Sequence, residues 1–266
     1  MSKKYKNDIK LIKKNNNFFK RFCIFLLSVI VLTCLFFSGM LIANLLTNNN
    51  LNLFNNKISI KSINYYAIHF GEFDTEEEAL NCSIWTASSG GSAYVFNNGK
   101  YMVIGQLYRN IDDANIVLSN LNADLTYVPN IAQYKTKKLQ LNINNLSNGD
   151  KKDINNDIKL IFNTINNMLK ISNNLDKNLI SNVSASSEVN TLKSKLKVAK
   201  VEVESINVNY NSEDLDKLKN FMISVEDCLD VCTIKLLSGE NYNSVCKYCA
   251  CELFFNYYEF AENFDK

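Results

Sequence analysis

At 266 residues with a net charge of +2, the chain has room for one or two small domains and lacks the basic excess of a polyanion binder. His69 is the only histidine and Pro129 the only proline, which nearly excludes histidine-based triads and His-rich metal sites. No cofactor, metal or nucleic-acid partner is expected.

Residues 1–21 form a basic tail, with Lys3, Lys4, Lys6, Lys10, Lys13, Lys14, Lys20 and Arg21 against the single acid Asp8. Residues 22–46 carry no charge and are long enough to cross a hydrocarbon layer of roughly 30 Å. That length favours a retained transmembrane helix over a cleaved signal peptide, whose apolar stretch is shorter and ends at a small-x-small site. The basic residues upstream put the N-terminus in the cytoplasm and the bulk of the chain outside a cell membrane crossed once. Residues 47–63, Asn-rich at their start, read as a linker.

From Asn64 the period changes to two. Tyr66, Ile68 and Phe70 alternate with Tyr65, Ala67 and His69, and Gly71 ends the run. Asp74 or Thr75 caps a helix opening on Glu76, Glu77 and Glu78, with a stripe of Ala79, Leu80, Ser83, Ile84 and Ala87. Ala93–Phe96 and Tyr101–Leu107 flank the hairpin signal Asn97-Asn98-Gly99. A second helix carries Ala114, Val117, Leu118 and Leu121, and Leu125–Val128 reads as the last strand. The order βαββαβ suits a four-stranded antiparallel sheet with both helices on one face and the other face free.

Tyr66, Gly71, Phe73 and Ala79, then Gly105, Leu107, Ala114 and Leu121, resemble the SPOR domain, the sporulation- and division-related repeat. The resemblance spans residues 64–134. It implies binding of peptidoglycan glycan strands stripped of stem peptides, on the open sheet face, with a role in bacterial cell division or sporulation. The face expected to meet glycan holds Tyr65, His69 and Tyr101, and Val103 occupies the slot before the second glycine that is usually polar in the family. Aromatic planes suit sugar C–H packing, and strand aromatics equally suit plain packing. Trp85, beside the first helix stripe, reads as an interdomain packing residue.

Residues 135–150 read as a second linker and 151–266 as a helical domain. Four amphipathic segments follow, marked by Ile154, Ile158, Ile161 and Ile165, by Val189, Leu192 and Leu196, by Leu215, Leu218 and Met222, and by Val245, Cys249 and Leu253. Its partner would be a division or sporulation protein. Cys228, Cys232, Cys246, Cys249 and Cys251 are open to three readings: buried core thiols, disulfides, or a four-thiolate zinc site. A hairpin near Gly239 would bring Cys232 to Cys249 and Cys228 towards Cys251.

The expected fold class is α+β: a ferredoxin-like βαββαβ SPOR-type domain, preceded by one transmembrane helix and followed by an all-α helical bundle. No enzyme is expected, because the acids at Asp74 and Glu76–Glu78 serve a helix start and no nucleophile–base pair converges. The alternative to glycan binding is a protein-interaction scaffold at the membrane, made credible by His69, Val103 and Leu107 where the family pattern differs.

Overall fold

A computed structural model describes residues 57–121, 126–238 and 242–264. The basic tail at 1–21 and the apolar stretch 22–46 lie outside the described residues. The strands are β1 (Lys57–Ile60), β2 (Asn64–Phe73), β3 (Tyr94–Asn97), β4 (Tyr101–Tyr108), β5 (Asn130–Lys135) and β6 (Leu139–Asn142). The helices are α1 (Glu76–Ser88), α2 (Ile111–Asn120), α3 (Asn148–Asp176), α4 (Asn182–Tyr210), α5 (Glu213–Leu237) and α6 (Tyr242–Asn263).

The expected fold class needs correction. Among the described residues there are six helices and two sheets, and no helix is long and apolar enough to cross a membrane. Nor does the unit reduce to a βαββαβ sheet joined by linkers to a separate bundle. Both supposed linkers contain strands, and β1 pairs antiparallel with β6 to make a second sheet. Ile58 and Ile60 of β1 and Leu139 and Leu141 of β6 turn into the core, while Lys57, Ser59, Gln140 and Asn142 stay in solvent. This alternation of period two is what makes each short strand worth ordering.

The larger sheet runs in the order β3-β4-β2-β5, every neighbouring pair antiparallel. Its last strand starts after Pro129, later than expected, and pairs Ile131 with Ile68 and Tyr134 with Tyr65. Gly99 takes a positive φ of 84° in the β3–β4 turn, a conformation that side chains resist. Between β2 and β4 the register slips twice, once on either side of His69. Such bulges reverse which residues of a strand look to which face. Gly105 sits at the first slip because β2 comes too close for a side chain, a Cβ there meeting the Phe70 ring at 2.5 Å.

Helix starts follow local chemistry. The Thr75 side chain accepts from the Glu78 N–H, Asn110 from Asp112 and Ser147 from Asp150. The expected stripe on α1 is rotated: Ala79, Cys82, Ser83 and Thr86 are buried, whereas Leu80 and Ile84 are exposed. Ile68, Phe70, Val103 and Tyr108 of the sheet pack with Ala79, Cys82 and Ala114 of α1 and α2 in one cluster.

The four long helices close a ring in which α3 and α5 each pack against both α4 and α6. Ion pairs Lys193–Asp230, Lys200–Glu226 and Glu204–Lys219 fix α4 antiparallel to α5. The core is continuous from Tyr65, Ala67, Phe96 and Ile104 of the sheet into the helix ring. Residues 56–266 thus form one compact unit.

One buried acid makes this packing pH-sensitive. Asp157 of α3 is buried, with Oδ2 unpartnered, and burial, reinforced by Glu202 and Asp153, lifts its carboxyl from 3.8 to about 7. Between these values the unfolded chain releases a proton that the folded chain keeps. The contribution of Asp157 to stability therefore falls as pH rises from about 4 to about 7 and is level above that. Asp157→Asn is expected to unfold at a higher temperature than the wild type at pH 8, by a margin that shrinks towards pH 4. The margin has a ceiling of about 4 kcal/mol, and thermal melts across this range measure it.

Candidate functional site

The sheet face expected to meet glycan is the seat of α6. Phe255 stacks on Phe96 with ring centroids 4.2 Å apart and lies parallel to Tyr94 at 5.5 Å. Tyr134 meets the Phe255 ring edge-on at 4.9 Å, and Tyr258 closes the aromatic cluster against Phe96 and Tyr134. Among the described residues, these rings of α6 cover the Tyr94, Phe96 and Tyr134 side of the sheet.

The four glycan candidates fare accordingly. Tyr65 is 1% exposed; its ring lies 4.7 Å from Phe254, and its hydroxyl donates to Asn166 Oδ1 of α3 at 2.7 Å. Arg109 stacks over the same ring and donates to the same Asn166 oxygen at 2.8 Å. Burial pushes the Tyr65 phenol up despite the opposing effect of Arg109. His69 is buried with Nδ1 unpartnered, and burial pulls its imidazole below the usual value. Val103 is fully buried on the opposite face, in the cluster under α1 and α2, and half-buried Tyr101 packs against that same cluster. Strict alternation along β4 puts Tyr101 beside Tyr65. The slips between β2 and β4 put Met102 and Ile104 there instead. The structure therefore brings these four residues to no common exposed surface.

On the helix-covered face, a cavity of about 150 Å³ lies between α1, α2 and the sheet. Its walls include Phe70, Trp85, Gly91, Gly105, Tyr108 and Lys247. Trp85 meets Phe70 edge-on at 5.4 Å and Tyr127 at 5.6 Å, so its packing partners are in its own layer. The Lys247 amine, reaching in from α6, donates to Gly90 O at 2.8 Å and pairs with Asp176 Oδ2 of α3 at 2.8 Å. Its charge is thereby committed to joining three elements rather than to a ligand in the cavity.

The exposed chemistry lies on the far side of the helix ring. Val183, Val198, Val201 and Val208 of α4 are all more than half exposed. At 100° per residue they fall within an arc of roughly 80°, opposite the buried stripe of Val189, Leu192, Leu196 and Val203. Ile223, Val231, Ile234 and Leu237 form a similar exposed face on the neighbouring α5. Sequence reasoning missed this second stripe because the valines are interspersed with serines and asparagines, and only the inward period was sought.

The cysteines of α5 and α6 meet with a different pairing from the expected one. Cys228 Sγ lies 3.2 Å from Cys249 Sγ, while Cys251 faces Ser92 Oγ at 3.4 Å. Among the described residues no group of three or more His, Cys, Asp and Glu side chains is arranged to hold a metal ion.

Comparison of the chain with protein families, curated proteins and solved structures finds no match.

Proposed function

We propose that the chain is a non-catalytic protein-interaction scaffold whose sheet carries its own helix ring in place of a glycan. The observation that carries this reading is the stacking of Phe255 on Phe96 and Tyr94, which fills the face that glycan would need. A sugar reaching Tyr65 would have to displace α6 and with it a large part of the continuous core. The surface left for a partner is the outward aliphatic face of α4 and α5, because exposed apolar residues grouped on one face favour association. Attachment to a membrane through residues 22–46 belongs to the same proposal and rests on their uncharged length.

The test uses the full chain in cells, with a photo-crosslinking residue at Val198 or Val201 and, as control, at Ile116 of α2. A discrete protein adduct is expected from α4 and none from Ile116. With the crosslinker kept at Val198, Val201→Asp with Val208→Asp should abolish the adduct while each substitution changes stability by no more than about 0.5 kcal/mol, as exposed substitutions do. The detergent-solubilised chain should not sediment with intact or peptide-stripped sacculi. Saturable retention on stripped sacculi, or the absence of any adduct on α4, would overturn the proposal.

A further inference from the structure

Four thiols converge between α5 and α6. Cys228 and Cys232 are one helical turn apart on α5, and Cys246 and Cys249 are similarly placed on α6, so an antiparallel hairpin sets 228 against 249 and 232 against 246. All four are at most 5% exposed. Cys228 and Cys249 are in direct thiol contact, and the helix register that joins them sets Cys232 against Cys246 one turn further along. Cys228 Sγ also lies 3.1 Å from Glu252 Oε2. The other two described cysteines stand apart: Cys82 beside Thr86 and the Phe70 carbonyl, Cys251 beside Ser92.

We propose that these four residues are two dithiols, Cys228–Cys249 and Cys232–Cys246, which close into inter-helix disulfides by exchange with an external disulfide. Cys232 is the attacking sulfur. Lys235, one turn on along the same helix α5, places its ammonium beside this sulfur and favours the thiolate while α5 is still open to the donor. Its thiolate attacks one sulfur of the donor, expels the other as a thiolate, and leaves a mixed disulfide. Cys246 then displaces the second donor sulfur, and the two protons of the dithiol go to the two departing thiolates. Cys249 and Cys228 react in the same way with a second donor molecule. Because the sulfurs are sealed in the finished core, the exchange takes place before α5 and α6 close on one another. The result pins the last helix, which seats the sheet, to the helix before it.

The test refolds the reduced full chain in detergent in a buffer of reduced and oxidised glutathione, then alkylates the remaining thiols and maps the peptides without reduction. Two linkages are expected, 228–249 and 232–246, with Cys82 and Cys251 alkylated. Oxidation should raise the unfolding temperature by roughly 5–10 °C relative to the reduced chain. The double variant Cys228→Ser with Cys249→Ser should keep the 232–246 linkage alone, and should it fail to fold, the wild-type map decides. Four alkylated thiols, a linkage to Cys82 or Cys251, a persistent glutathione adduct, or bound zinc that blocks oxidation until a chelator is added would each overturn the proposal.

Discussion

Phe255→Ala is expected to lower the unfolding free energy by about 3–5 kcal/mol, the usual cost of deleting a buried aromatic side chain whose surroundings cannot collapse. The ring is fully buried and touches Tyr94, Phe96, Tyr134, Phe254 and Tyr258, so its loss opens a void between α6 and the strands β3 and β5. Urea unfolding followed by near-ultraviolet circular dichroism measures the change. Aromatic signals from the sheet and from the bundle should disappear in one transition, because both belong to one core. Two separated transitions in the wild type would mean that the bundle is merely tethered.

Lys247→Met is the second large effect, with an expected cost of about 2–4 kcal/mol. The amine is nearly buried, and it reaches the Gly90 carbonyl and both carboxylate oxygens of Asp176. Removing one partner of a buried ion pair costs about 3–5 kcal/mol because the other charge is left without compensation. Asp176 is partly exposed, which moves the expectation towards the lower figure. Lys247→Met with Asp176→Asn should recover part of the loss, since the stranded carboxylate is then gone. A double-mutant cycle reads this coupling directly.

Much of the fold could be read from the residues because local signals and tertiary needs agreed. Ile154, Ile158, Ile161 and Ile165 face the core as their spacing implies, as do Leu215, Leu218 and Met222. Thr75 and Asn110 cap helices through their own side chains, whereas Ser147, within the expected linker, starts a helix earlier than its residues implied. β1 and β6 were hidden because each is four residues long and set among Lys and Asn, so either alone resembles a linker. Only their pairing, 83 residues apart between Ile58 and Leu141 by subtraction of their numbers, makes them strands. The error over the candidate site has two physical sources. Two register slips between β2 and β4 reverse an alternation that sequence cannot see past. The partner of the open face lay in the same chain. Phe254, Phe255 and Tyr258 are a dense aromatic run on α6, and a sheet with exposed Tyr94, Phe96 and Tyr134 would be its natural complement.

The most direct test of the covered sheet is ring-to-ring proximity in solution. With Phe and Tyr rings selectively labelled in the full chain, nuclear Overhauser contacts are expected between Phe96 and Phe255 and between Tyr65 and Phe254, whose centroids lie 4.2 and 4.7 Å apart. Absence of both contacts, together with solvent-accessible Tyr65 and Phe96 rings, would contradict the account and reopen the sheet to an outside ligand.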